Sequence, residues 1–159
     1  MTTDHADVAI VAIKREEYDA VLRRLPPDRQ VIRRGLRTYV RFSLETLQPG
    51  TPYTIVLTRA IDQGNGEAHA AAADAIGDWH PTLILLVGIA GALPREEVAL
   101  GDVVISTRVL DATLHAISQG VVEHAVRGEK LERRLASLIA NLSARQAELG
   151  PWSKEPSIS

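Results

Sequence analysis

Two glycine-punctuated segments are the parts of this sequence whose residue types and spacing could do chemistry. In the first, Gln63-Gly64-Asn65-Gly66-Glu67 stands between a β-branched run and an alanine-rich stretch. Glycine permits positive φ and close backbone approach, and the free N–H groups of a helix start can hold anionic or polar ligand oxygens. The same pattern also serves as a tight turn with no ligand. Two common phosphate loops are excluded: no Gly-Lys-Ser/Thr follows, and the loop after the first apolar run reads Lys14-Arg15-Glu16-Glu17 instead of a glycine fingerprint. In the second segment, Val87-Gly88-Ile89-Ala90-Gly91-Ala92, small residues directly beyond an apolar run let a flat ligand lie against backbone, or let a close crossover pack. The five histidines, His5, His69, His80, His115 and His124, form no compact ligand motif and cysteine is absent, so neither a metal site nor another cofactor is expected.

These loops need elements to hold them. With 159 residues, 45% of them hydrophobic and 24% charged, the chain has the make-up of one globular α/β domain. A net charge of −2 and 4% aromatic residues argue against a nucleic-acid partner. The longest apolar run is far too short to span a bilayer, and the lack of cysteine suits a cytoplasmic protein. Residues 6–13 are almost continuously apolar, as expected of a strand covered on both faces. The helical spacing of Tyr18, Val21, Leu22 and Leu25 predicts a helix ended by Pro26-Pro27, with acids in its early turns and Arg23 and Arg24 late. Residues 38–44 and 52–58 are expected to form an antiparallel hairpin, and the stretch after Gly66 a second helix, with Gly77 and Pro81 bracketing its end. Residues 82–87 and 103–106 complete a mostly parallel central sheet with flanking helices. Residues 109–128 show little periodicity, whereas Leu131, Leu135, Leu138, Ile139 and Leu142 share the face of a last helix over 130–148. Arginines 29, 33, 34, 37 and 41 fit a solvated sheet edge, or an acidic partner surface.

Taken in order, four segments resemble one family. They are the opening apolar run with Glu16-Glu17-Tyr18-Asp19-Ala20-Val21, the Gly64-Asn65-Gly66-Glu67-Ala68-His69 segment, Val87-Gly88-Ile89-Ala90-Gly91-Ala92-Leu93, and Leu100-Gly101-Asp102-Val103-Val104-Ile105-Ser106-Thr107. The family is the nucleoside phosphorylase and nucleosidase superfamily, which includes purine nucleoside phosphorylase and methylthioadenosine/S-adenosylhomocysteine nucleosidase. The resemblance extends in particular to nucleosidase-like domains at the front of larger multidomain proteins.

The resemblance implies cleavage of the N-glycosidic bond of a purine nucleoside or nucleotide. It implies an acid just after the first strand that orients water near the sugar; the Glu-Tyr-Asp-Ala-Val spacing selects Glu17, and counting from the strand selects Glu16. It assigns Gly64, Asn65 and Gly66 to the neighbourhood of the ribose, and Gly88, Ile89, Ala90 and Gly91 to the lining of base and sugar. Phosphorylases of this family hold phosphate with an Arg and a Ser where this chain has Leu86 and Ile89, neither of which can donate a side-chain hydrogen bond to an anion. Arg59 or Arg37 could supply charge, but water is the expected nucleophile. The family's ribose-gripping Met-Glu pair and base-protonating Ser-Asp pair have no counterpart after Thr107. Residues 1–150 are therefore expected to be the N-terminal portion of the family fold, incomplete at its C-terminal side, and 151–159 a tail. Two functions follow: an N-glycosidase domain, or a truncated or degenerate nucleoside-binding or assembly module. Either is expected to self-associate or to take a partner domain that completes the fold.

Overall fold

The computed structural model describes residues 5–46, 48–91, 100–118 and 121–149. The chain divides into two compact units, Met1–Leu93 and Pro94–Ser159.

The first unit is a five-stranded mixed sheet between two helices. Its strands are β1 (Val8–Ala12), β2 (Arg29–Arg34), β3 (Arg37–Leu44), β4 (Tyr53–Arg59) and β5 (Leu83–Val87), and its helices α1 (Arg15–Arg24) and α2 (Asn65–Trp79). The spatial order is β2-β3-β4-β1-β5. β1 lies parallel to both β4 and β5, so the three apolar runs form the middle and one edge of the sheet, and β3 and β2 extend it antiparallel from β4. The antiparallel pairing of residues 38–44 with 52–58 matches the hairpin expected from the sequence. β2 adds a strand to it, through a two-residue turn in which Gly35 takes φ +52°.

Continuous apolar character in β1 reflects two covered faces. Val8 and Ile10 join Val40, Phe42, Ile55 and Leu57 beneath Tyr18, Val21, Leu22 and Leu25 of the α1 region. Ala9 packs on the other face with Tyr39, Val56, Ala75 and Trp79, and Val11 with Ala60 and Ala71. Alanines at 71 and 75 let α2 lie close to the sheet while keeping high helix propensity. α2 runs through Gly77 and ends at His80, whose left-handed φ of 45° caps the helix through His80 N–H to the Ile76 carbonyl (2.9 Å), with Pro81 preventing continuation. Its last residue, Trp79, is fully buried. The Tyr39 ring meets it edge-on at 5.6 Å and the Arg34 guanidinium lies 3.8 Å over its face. Tyr39 donates its hydroxyl to Asp78 (2.8 Å); burial first, then that hydrogen bond and the nearby carboxylate charges, push its pKa up, so it stays a neutral donor.

β5 closes the described sheet on one side, and its last three residues, Leu85, Leu86 and Val87, are exposed.

In the second unit, β6 (Arg108–Ser118) and β7 (Val121–Lys130) form an antiparallel pair with a register shift between Asp111 and Leu114. That irregularity accounts for the weak periodicity of this stretch in the sequence. Residues 103–106, expected as a third parallel strand, belong to no strand; Val103, Val104 and Ile105 are exposed instead. β-Propensity describes fit to a pleated, half-buried surface, and without a neighbouring ladder the β-branched run alone does not make a strand. The helix expected over 130–148 is also divided. α3 (Arg133–Ala140) is followed by a turn at Asn141 and Leu142, a short 3₁₀ segment and α4 (Gln146–Leu149). Leu131 precedes the helix and bonds through its N–H to the Thr107 carbonyl (3.0 Å). The tail at 151–159, with Trp152, lies outside the described residues, as does the end of the second glycine segment from Ala92.

Candidate active site

Ala12 of β1 is in register with Arg59 of β4 on one side and Val87 of β5 on the other. The carboxyl ends of all three parallel strands therefore lie side by side, and the segments beginning at Ile13, Ala60 and Gly88 emerge from one edge. β1 continues into α1 on one face of the sheet, while β4 continues into α2 on the opposite face. Adjacent strands whose connections part in this way leave a crevice between them, the usual place for a ligand in an open α/β sheet. A cleft of about 240 Å³ occupies that position, lined by Ile13, Lys14, Arg15, Glu16, Arg59, Ile61, Asp62 and Gln63. Its lining is strongly polar: Lys14, Arg15 and Arg59 carry positive charge against Glu16 and Asp62. Arg15 is held by Asp19 at 3.5 Å, and Asp62 accepts the Gln63 N–H at 2.7 Å.

The two carboxylates singled out in the sequence have different surroundings. Glu16 is exposed on the cleft wall. Glu17 is turned inward and only 7% exposed. Its Oε2 accepts the N–H groups of Lys14 (2.8 Å) and Ile13 (3.2 Å), and its Oε1 accepts that of Ile89 (2.8 Å), so one side chain ties the loop after β1 to the loop after β5. Burial alone would raise its pKa. The hydrogen bonds from Ile89, Lys14 and Ile13, aided by the Lys14 charge, outweigh burial and hold it below the ordinary carboxylate value. This carboxylate stays ionised at neutral pH and is a weak base. A carboxylate has about four lone-pair positions, and three are taken.

Gly88 lies close against that arrangement. A Cβ at this position would stand 3.0 Å from Glu17 Oε1 and 3.2 Å from its Cδ. The absence of a side chain at this position leaves room for the Glu17 carboxylate. Ile89 meets Glu17 through its backbone, whereas Ala90 and Gly91 lie exposed beyond it. Gly64, with φ +118°, precedes the first turn of α2, where Asn65 and Gly66 begin the helix directly after Gln63 of the cleft.

Of the two arginines considered for an anion, Arg59 lines the cleft. Arg37 is only 4% exposed and already engaged, its Nε donating to Asp74 at 2.7 Å and its Nη1 to the Arg59 carbonyl at 3.4 Å. Sequence reasoning pointed to Gln63 through the first glycine segment but missed Ile13, Lys14, Arg15, Ile61 and Asp62 as cleft residues. The available signal was the loop after a strand that proves to neighbour β1, and adjacency is not written in local pattern. Among the described residues no group of three or more His, Asp or Glu side chains could hold a metal ion, and no helix is long and apolar enough to cross a membrane.

Comparison with known proteins places this geometry in context. The chain superposes on S-adenosylhomocysteine nucleosidase from Streptococcus pyogenes with a TM-score of 0.68 at 17% identity, covering 92% of this chain and 60% of that one. For 5′-methylthioadenosine/S-adenosylhomocysteine nucleosidase from Neisseria meningitidis the TM-score is 0.62 at 20% identity, covering 89% and 59%. For futalosine hydrolase of Helicobacter pylori it is 0.65 at 14%, covering 91% and 60%. The chain thus spans about 60% of the length of these relatives. No curated protein sequence matches it. The profile of the phosphorylase superfamily matches residues 7–150, nearly the whole chain, and on that match, with the shared fold, the chain belongs to the phosphorylase superfamily.

Proposed function

We propose that this chain carries the nucleoside-binding and water-orienting part of a purine N-glycosidase site that works with water, not phosphate. The observation that carries the reading is the ionised Glu17 carboxylate, held by three backbone N–H groups where β1 and β5 end, beside a polar cleft. With its remaining lone pair Glu17 orients a water; its lowered pKa suits orientation better than proton removal. Glu16 and Asp62, on the cleft wall, are the carboxylates that face a bound sugar directly. Gly64, Asn65 and Gly66 offer the backbone of a helix start to the ribose, and Gly88, Ile89, Ala90 and Gly91 offer a surface without long polar side chains to base and sugar. Water is favoured because Leu86 and Ile89 donate no side-chain hydrogen bond, and the Ile89 N–H is already given to Glu17.

A second reading, a nucleoside-binding or assembly module without turnover, is favoured by the exposed apolar residues Leu85, Leu86 and Val87 of β5. The two readings share the binding step. Calorimetric titration of the 159-residue chain with methylthioadenosine, S-adenosylhomocysteine, adenosine and AMP is expected to show saturable binding of at least one. Added phosphate should neither be required for binding nor promote base release. Failure to bind all four would remove the glycosidase reading and the nucleoside-binding form of the second, and phosphate-dependent release of adenine would overturn the hydrolytic one.

The exposed edge of β5 supports the assembly part of this proposal. Leu85, Leu86 and Val87 form an uncharged edge without the lysine or proline that normally guards one. Sedimentation velocity across a concentration series should show self-association that Leu86→Lys reduces. A monomer at all concentrations, with no binding of a hydrophobic dye, would count against it.

A further inference from the structure

Arg37 is a buried charge at the carboxyl-end edge of the sheet, and nothing said so far uses it. It begins β3, three residues before Val40, which pairs with Leu57 of β4, so it stands beside the point where β4 gives way to the cleft loop. Its Nε donates to Asp74 of α2 at 2.7 Å, and its Nη1 reaches the carbonyl of Arg59, the last residue of β4, at 3.4 Å. Arg59 lines the cleft, and Ile61, Asp62 and Gln63 follow as the rest of that wall. The loop is therefore gripped at its start by Arg37, while its far end leads into α2, which Arg37 also holds through Asp74. A guanidinium suits this task because its planar fork can serve two acceptors in fixed directions, which an ammonium cannot.

We infer that Arg37 is a positioning residue for the cleft: by tying the Arg59 carbonyl to Asp74 it sets the direction in which the Arg59 side chain and the loop after β4 face a bound nucleoside. It does not touch the ligand. Its exposure of 4% leaves the guanidinium no access to the cleft, so its influence passes through the backbone of Arg59. The inference rests on the nucleoside reading of the cleft.

Two variants test it against a control. Asp74→Asn keeps the shape of a half-exposed side chain while removing the charge that orients Arg37, so the fold should tolerate it. Arg37→Lys keeps the buried charge but loses the fork. The control is Tyr39→Phe, which removes the Asp78 hydrogen bond from the same helix–sheet interface and leaves Arg37 untouched. Affinity for methylthioadenosine, or whichever of the four nucleosides the parent binds best, is expected to fall about tenfold in Asp74→Asn and Arg37→Lys and to stay at the parent value in Tyr39→Phe. Amide resonances of Arg59, Ile61, Asp62 and Gln63 should shift in the first two variants and not in the control. Parent-like affinity in a folded Asp74→Asn chain, or an equal loss in Tyr39→Phe, would overturn the positioning role while leaving nucleoside binding intact. A parent chain that binds no nucleoside would instead overturn the reading on which the inference rests.

Discussion

Replacing Glu17 by alanine should lower the unfolding free energy of the chain by about 2–4 kcal/mol and weaken nucleoside binding at least about tenfold. Three backbone N–H groups lose an ionised acceptor in that variant: those of Lys14, Ile13 and Ile89. Hydrogen bonds to charged groups contribute about 1.5–3 kcal/mol each. The total expected is smaller than their sum because Lys14 and Ile89 lie where water can replace part of what is lost. Glu17→Gln should recover little. An amide presents one oxygen and one NH₂ group, so at least one of the three backbone donors would face another donor. Gly88→Ala approaches the same end from the other side. Its Cβ would fall 3.0–3.3 Å from three atoms of a carboxylate that cannot swing away without breaking its bonds, and such overpacking costs about 1–3 kcal/mol.

The Glu17 contribution also carries a pH signature. Its folded-state pKa lies below the ordinary carboxylate value of 4.5, so its stabilisation is present above that value and is lost as pH falls through the folded-state pKa. Urea unfolding of the parent between pH 7 and pH 3 should show a decline in the acid range that is reduced in Glu17→Gln. An unchanged acid limb in the variant, together with parent-like stability at pH 7, would show that the carboxylate does not hold the two loops together.

The second large effect concerns turnover. The 159-residue chain is expected to bind a purine nucleoside yet release adenine no faster than buffer does. Departure of adenine requires that the base accept a proton as the glycosidic bond breaks, and a positioned general acid contributes about 10²–10⁴-fold to such a step. The 159 residues hold neither the Ser-Asp nor the Met-Glu pair after Thr107 that the family resemblance implies for protonating the base and gripping the ribose. Loss of that positioning removes further orders of magnitude, because a near-attack geometry is itself a large part of the barrier reduction. A water held at Glu17, as proposed, would still face an unpolarised glycosidic bond and would not react at a useful rate. Chromatographic assay of free adenine from methylthioadenosine, S-adenosylhomocysteine, adenosine and AMP, with Glu16→Ala and Glu17→Ala alongside, checks this. Turnover near one per second, abolished by either substitution, would show the chain to be a complete catalyst with its acid elsewhere.

Several elements were determined by the sequence alone, and for a common reason. β1, α1, α2 and β5 each have a local pattern that matches their surroundings: unbroken apolar runs where two faces are covered, and a three-to-four residue spacing where one face is. The superfamily was legible in four short segments because their residue types and order are carried by the chain itself. Tertiary structure decided what local pattern could not carry. Residues 103–106 have the composition of a strand, but a strand needs a partner, and none pairs with them among the described residues. Glu16 and Glu17 are neighbours with identical side chains, and of the two it is Glu17, three residues after Lys14, that reaches back to the Lys14 and Ile13 N–H groups at the helix start. The rest of the separation comes from Gly88 and Ile89, more than 70 positions away, which parallel pairing of β1 with β5 brings against that carboxylate. The cleft likewise depends on β4 lying next to β1 with its following helix on the opposite face, an arrangement set by which apolar surfaces bury one another and not by any residue within the loops that line it.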